Sequence, residues 1–463
     1  MKIPRAVILG GGVTGLTTGI VLQMHGYRTS IFTHRVMHKI HPTDYSRRPS
    51  EIASIHAAAS VLPHSAKDDR IPELTRLSQN VFHRLAFSCH FGVRQQRHYE
   101  LYEVPKEPPV YAREVEDFLL LSKEGDSWTR ERCLPMRKGA RGVWGWHFNA
   151  FFAEVPTYLQ SLTDAYLASG GELIVCENPY RLDEFIEKAK RNKADVAVVC
   201  AGYASPSLLG TGTPTEIPVT RGHMVKVHLY DVPRDDRGKY FSYNYTPEPI
   251  TDQYTDVSAR SDGNGLDERT PTDVYFYPRS DGWLLGGSRQ PGFFNSVTGE
   301  WRPKIVGMSR DEFESKRDYF RRSREWLEKI PRRIWDLNRE LILDITEVDI
   351  ARFPSSSYIG YRFLTEPIEI GKDDTLTDQH GMLLLKNFGH GGSGYTLSWG
   401  AAWKLLSDLE RSGFSSAIRP YRDVTTSGSD SAAMAVLTIL EDLARTEFQR
   451  RSMPDFSRTG SAL

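Results

Sequence analysis

Residues 6–9 (AVIL) form a continuous apolar run, and Gly10, Gly11, Gly12, Val13, Thr14 and Gly15 follow it without a gap. A buried strand, a G-x-G-x-x-G turn and a helix in that order commit a chain to a parallel sheet with a nucleotide at its first crossover. The first glycine makes the tight turn, Gly12 lets a pyrophosphate approach the backbone, and Gly15 lets the helix over residues 13–25 lie close to the sheet. Residues 28–32 supply the second strand. Such folds usually place an acid at its end for a ribose 2′-hydroxyl, but here the run is Phe32, Thr33, His34, Arg35. Arg35 suits either a 2′-phosphate or the AMP phosphate of a flavin, so this motif leaves the cofactor open.

A second glycine loop lies near the other end, in residues 386–402 (KNFGHGGSGYTLSWGAA). Gly389, Gly391, Gly392, Gly394 and Gly400 leave the backbone bare, and helix-compatible residues follow from Ala401. A glycine loop opening into a helix presents unpaired N–H groups and the positive end of the helix dipole, which suits an anionic or electron-rich ligand.

With 463 residues, 39% of them hydrophobic and 11% aromatic, the chain can bury a large core in two domains. Fifty-nine basic and 59 acidic residues give no net charge, which argues against nucleic acid or an anionic membrane as a partner. No run of 18 apolar residues is present and the first strand begins at once, so an intracellular, soluble protein is expected. Cys89, Cys133, Cys176 and Cys200 are widely spaced and read as free thiols, and His34, His38, His41, His56 and His64 lie in a polar stretch with no companion ligands, so no metal site is expected.

The C-terminal string resembles the signature of the D-amino-acid oxidase family in Asn387, Phe388, Gly389, His390, Gly391, Gly392, Gly394, Thr396, Trp399 and Gly400. Residues 53–63 (ASIHAAASVLP), 200–202, 221–227 (RGHMVKV) and 360–362 (GYR) resemble it too, in the right order. The resemblance implies an α/β fold with a Rossmann-like FAD-binding domain, discontinuous in sequence, and a second antiparallel-sheet substrate domain. It implies FAD as cofactor, held by Gly10, Gly12, Val13, Thr14, Gly15, Arg35, Ser54, His56, Ala57, Ala201, Gly202, Arg362, His390, Gly391, Gly392, Gly394, Tyr395 and Thr396. The FAD-binding parts are then residues 1–65, 146–215 and 376–415, with 66–145 mixed, 216–375 the substrate domain and 416–463 an extension.

Within this frame residues 73–85 read as an amphipathic helix, 96–104 and 110–121 as strand and loop, and 144–149 as the lead into a helix at 155–169. Strands at 223–230, 273–277 and 282–287 alternate with period two, as in a sheet with one covered face. Between them, residues 231–272 read as a long loop, a lid whose Tyr240, Tyr243, Tyr245 and Tyr254 pack over ligand. Helices are expected at 311–330 and 332–339, and an amphipathic helix at 432–448 either covers the body or pairs subunits into a homo-oligomer. The terminal Ser461, Ala462 and Leu463 weakly echo a peroxisomal ending, which leaves cytoplasm and peroxisome as compartments.

By resemblance Arg362 pairs a substrate carboxylate bidentately and Tyr275 meets it through its hydroxyl, with Tyr277 on the same strand face as an alternative. The implied reaction transfers the Cα hydrogen of an amino acid or amine as hydride to flavin N5, giving an imine that hydrolyses to a 2-oxo acid, while O2 is reduced to H2O2. The pocket departs from the family: Phe363, Leu364 and Thr365 replace a proline and a second arginine, Lys386 a histidine, Ser393 an aromatic and Leu62 a polar residue. A bulkier, cyclic or secondary amine therefore stands beside a simple D-amino acid. A biosynthetic oxidase or dehydrogenase of the same fold and a noncatalytic flavoprotein subunit are the alternatives.

Overall fold

The computed structural model describes residues 3–34, 53–62, 68–87, 91–109, 112, 115–124, 135–176, 181–209, 216–235, 237–247, 273–295, 301–303, 324–414, 437–443 and 445–446. The N-terminal apolar run becomes β1 (Arg5–Leu9), an inner strand of a six-stranded sheet in which Ile8 pairs with Ile31 of β2 (Arg28–Thr33) and with Val198 of β7 (Val196–Val199). All four residues of β7 (VAVV) are buried, as expected of a strand covered on both faces. Helix α1 (Val13–Met24) makes the first crossover, and the chain returns through the helix Val155–Ala168, β6 (Glu172–Val175) and the helix Leu182–Arg191. It returns again with β15 (Leu364–Lys372) and β16 (Leu383–His390), giving the order β15-β16-β7-β1-β2-β6, parallel except for the β15–β16 hairpin.

The ten-stranded sheet holds β3 (Val93–Tyr102), β4 (Glu116–Glu124), β5 (Gly142–Ala153), β8 (Glu216–Val227), β9 (Phe241–Thr246), β10 (Val274–Arg279), β11 (Gly282–Gly286), β12 (Gln290–Asn295), β13 (Trp301–Pro303) and β14 (Ser355–Arg362). Its strands are antiparallel apart from β3 beside β9. Strand alternation sorts β10: Val274 and Phe276 enter a core with Ile334, Leu341 and Ile342 of the helix Arg324–Thr346, while Tyr275 and Tyr277 join Phe152, Met224 and Leu284 on the other face. That other face looks onto the nucleotide-type sheet.

The structure refines some sequence expectations and changes others. Residues 144–149 lie inside the strand β5, which runs on into the expected helix at Val155–Ala168. Part of the expected 231–272 loop is β9, an inner strand between β10 and β3. Its tyrosines are core, not cover: the Tyr243 hydroxyl donates to Asn338 Oδ1 (2.9 Å) and the Tyr245 hydroxyl to Glu103 Oε1 (2.7 Å). Tyr240 lies under the guanidinium groups of Arg94 and Arg234, and Tyr254 falls outside the described residues. The helix at Arg324–Thr346 runs through position 331 without a break. Of the expected C-terminal helix, Leu437 and Leu440 are buried in the core around α1, so its apolar side covers its own chain.

Candidate functional site

A cavity of about 550 Å³ lies between the two sheets, lined at one end by the first glycine turn and at the other by β10 and β14. At the turn, Gly10 has φ +112°, and a Cβ there would be driven into the Cys200 carbonyl that follows β7. The two strand ends are held together by Cys200 N–H donating to Leu9 O (2.8 Å) and Gly10 N–H to Phe32 O (2.8 Å). Gly12 caps α1 with no side chain, so its first N–H groups open toward the cavity, and Val13 N–H is matched with Ser54 Oγ (3.1 Å). Thr33 and His34 close the end of β2, with His34 Nδ1 3.1 Å from Cys176 O. His34, exposed to solvent, sits at the end of β2, where such folds usually place an acid.

The segment 53–62 forms one wall. It is a short 3-10 turn, Ala53–His56, and then irregular chain in which Ala59 takes φ +56°, held by its backbone on both sides. Tyr395 hydroxyl donates to Ser54 O (2.8 Å), Arg279 Nη1 to Ala57 O (3.1 Å), Ala153 N–H to Ala59 O (3.0 Å) and Thr396 Oγ1 to Leu62 O (2.9 Å). Ala57, Ala58, Ala59 and Ser60 thus present small side chains along the cavity. Opposite them β16 ends in Gly389 (φ +81°) and His390, and a 3-10 turn starting at Gly391 (φ +58°) leads into the helix Gly394–Arg411. His390 is buried, and its Nε2 has no hydrogen-bond partner among the described residues. Burial, then the charge of Arg70, pushes this imidazole down to about 4, so it is neutral at pH 7.

At the far end Arg362, from the last position of β14, reaches the Tyr275 hydroxyl with Nη2 at 3.5 Å. Its guanidinium lies flat on Gly222, where a Cβ would collide with Nη1. Nη1 is buried and has no hydrogen-bond partner among the described residues, a costly state that a bound acceptor would relieve. Burial raises the Tyr275 hydroxyl's pKa, and Arg362 opposes the rise; the phenol is therefore a neutral donor at pH 7. Tyr277 also lines the cavity, but its hydroxyl donates to Asn244 Oδ1 (3.0 Å).

Of the residues singled out in the sequence, Gly10, Gly12, Val13, Thr14, Ser54, His56, Ala57, Ala201, Gly202, Tyr275, Arg362, His390, Gly391, Gly392, Gly394 and Tyr395 line this one cavity. Gly15 and Thr396 do not: Gly15 packs against the Gly10 carbonyl, and Thr396 ties the following helix to Leu62. Arg35 lies outside the described residues. Lys386 turns away into ion pairs with Glu369 (2.7 Å) and Asp373 (3.2 Å). Sequence reasoning missed Gly11, Thr33, His34, Asn244 and Arg289. Gly11 was legible inside the motif, since a Cβ there would stand 2.6 Å from Thr33 Oγ1; Asn244 was hidden in the segment read as a loop.

The cradle suits an FAD. An anion-binding helix end with glycines too crowded to carry a Cβ, a flat wall of small residues and an unpartnered buried imidazole nitrogen match a pyrophosphate, a planar ring system and its polar edge. A family model described as FAD dependent oxidoreductase (DAO) matches residues 5–409. The chain is 25% identical over 415 residues to a D-amino-acid oxidase of Rubrobacter xylanophilus, covering 86% of this chain and 94% of that one. It is also 25% identical over 436 residues to a D-aspartate oxidase of Talaromyces thermophilus, covering 89% and 97%. The solved glycine oxidase from Geobacillus kaustophilus shares the fold with a TM-score of 0.51 at 16% identity, over 92% of this chain and 100% of that one. With the match spanning both sheets and the whole cavity, the chain belongs to the DAO family of FAD-dependent oxidoreductases.

Proposed function

We propose that the protein oxidises the CH–NH bond of an amino acid whose α-carboxylate is held by Arg362 and Tyr275. The observation that carries this reading is the buried, unpartnered Nη1 of Arg362 beside the Tyr275 hydroxyl, at the end of the cavity away from the α1 N-terminus. A guanidinium with free N–H groups on one edge donates to both oxygens of a carboxylate, and the neutral phenol adds a third donor. Fixing the carboxylate fixes the direction of the Cα–H bond, which is the main contribution orientation makes to the rate.

A bound FAD, held along the glycine turn, the 53–62 wall and the loop around His390, would supply the acceptor for the Cα hydrogen and its electron pair, with O2 as the final acceptor of two electrons and two protons to give H2O2. The amine then leaves as an imine, and water converts it to a 2-oxo acid and ammonia. Among the described residues that line the cavity none is an Asp or Glu, in keeping with an amine that enters uncharged. The backbone N–H groups at the start of the helix Gly394–Arg411 carry no side-chain cap and face the cavity, a position suited to stabilising negative charge on the cofactor.

The test is anaerobic mixing of the holoprotein with a panel of D- and L-amino acids and cyclic amines, read at the flavin band near ~450 nm. Bleaching by an amino acid, with oxygen consumption on readmitting air, is the expected result. In Arg362→Ala the yellow colour should remain while KM rises by about 100-fold or more. A flavin that no amine reduces, or an Arg362→Ala enzyme with unchanged KM, would overturn the reading.

A further inference from the structure

Away from the cavity between the sheets, a second pocket of about 160 Å³ opens among the helix Ile71–Phe87, the helix Gly394–Arg411 and the helical residues 437–443. Leu77, Asn80, Val81 and Arg84 enter it from one face of the first helix, at positions i, i+3, i+4 and i+7. Leu77 and Val81 are buried in the core around α1, and Trp403 of the second helix, 5% exposed, adds a ring wall. Asn80 and Arg84 differ from these. Neither hydrogen-bonds or ion-pairs with any described residue, although Arg84 is half-buried. The last turn of a helix suits a cation, but the dipole leaves the N–H groups of the guanidinium fork without a described acceptor. His83 at the rim is engaged in ring contacts, with Phe87 at 5.0 Å and Phe151 at 5.9 Å. Among the residues lining this pocket Arg84 is the one Lys or Arg, and no Asp or Glu accompanies it.

We infer that this pocket is a second binding site, for a small monocarboxylate with a branched apolar body. The carboxylate is received by the Arg84 guanidinium and the Asn80 amide, and the body lies against Trp403, Leu77 and Val81. One guanidinium balances one negative charge, which favours a carboxylate over a phosphate dianion. The volume admits about five water-sized groups, so the body is a short branched chain rather than a ring system. Leu443 of the C-terminal segment closes one side, and an occupant therefore ties that segment to the body. It also touches the cofactor helices from behind: Trp403 belongs to the helix that starts at the flavin loop, and its ring meets His25, the C-cap of α1, edge-on at 5.0 Å. The site does not depend on which substrate the large cavity takes.

3-Methylbutanoate carries both parts, 3-methylbutanamide lacks the charge and acetate lacks the body, so the three together read the site. They are titrated calorimetrically into the Arg362→Ala holoprotein, in which the carboxylate group of the large cavity is gone. One equivalent of 3-methylbutanoate should bind and raise the melting temperature, with the amide and acetate weaker by about tenfold or more. Adding Arg84→Gln should weaken 3-methylbutanoate by about tenfold and leave the amide unchanged. Asn80→Asp, which sets a like charge at the same rim, gives a second variant and should act in the same direction. In the otherwise wild-type chain Arg84→Gln should keep the flavin spectrum and the turnover of any amine substrate within about twofold. An amide that binds as tightly as the acid, 3-methylbutanoate binding that survives Arg84→Gln, or no binding at saturating acid would overturn the inference and leave the oxidation of amino acids standing. A flavin that no amine reduces would overturn that oxidation and leave this site in place.

Discussion

Tyr275 can reach Arg362 because its cross-strand partner is Gly286. The β10–β11 register sets the two directly opposite, and a Cβ at position 286 would lie within the Tyr275 ring. Gly286→Ala therefore has to expel the ring from its place beside Arg362, while the glycine turn that holds the cofactor is untouched. The expected outcome is a KM for the carboxylate substrate raised about tenfold or more with the visible spectrum of the flavin preserved; steady-state kinetics beside a spectrum would check it, and an unchanged KM would remove Tyr275 from the carboxylate site. The sequence offered a tyrosine and an arginine at plausible places, and the structure brings them within 3.5 Å. What it could not offer was Gly286, whose role is set by a neighbour on another strand.

At the level of elements, the segment 53–62 is held to the ten-stranded sheet through Arg279 and Asp281. Asp281 receives Arg279 through two contacts (2.7 and 2.6 Å) and Lys226 at 3.1 Å, and Arg279 in turn donates to Ala57 O. Arg279 is only 3% exposed, so loss of its carboxylate leaves a buried cation with no direct ion-pair partner. Asp281→Ala should destabilise the protein by about 3 kcal/mol and loosen the Ala57 wall, weakening FAD binding as well. Urea unfolding and a flavin titration measure the two effects; retained stability would mean that the pair is not what fixes this wall. The same hairpin shows why the loop reading of residues 231–272 failed in part. Phe241–Thr246 (FSYNYT) earns its place in the sheet from β3 and β10 on either side, not from a pattern visible in an Asp-, Pro- and Gly-rich surrounding sequence.

For the molecule as a whole, acid sensitivity follows from two buried histidines. His223 is pushed down to about 3 by burial and then by Arg221, and His390 to about 4 by burial and then by Arg70. In the unfolded chain each titrates near ~6.5, so between that pH and the folded value the unfolded state binds the extra proton. Their contribution to stability is therefore complete above about pH 6.5 and is lost as pH falls, at a limiting slope of about 1.4 kcal/mol per pH unit for each histidine. Melting temperature should drop from pH 7.5 to pH 5, and His223→Asn should flatten that drop; parallel curves for the two proteins would show that His223 does not titrate in this way. Among the described residues no helix is long and apolar enough to cross a membrane.

The strand, glycine turn and helix at residues 5–24, and the glycine loop entering the helix at residue 394, were determined by the sequence alone. Their physical requirement is largely local: Gly10 turns at φ +112°, which disfavours any side chain there, and packing against the Cys200 carbonyl only reinforces it. The FAD cradle, the family and the pairing of an arginine with a tyrosine follow from those local rules and from a resemblance that rests on them. Only the tertiary structure decided the rest. Whether a residue of the glycine string faces the cavity, as Tyr395 does, or ties the body together, as Trp399 does through Nε1 to the Tyr158 hydroxyl, depends on what packs behind it. So does the arrival of Tyr275 beside Arg362 from a separate hairpin, because strand register and sheet order are set by long-range packing and leave no short-range mark in the sequence.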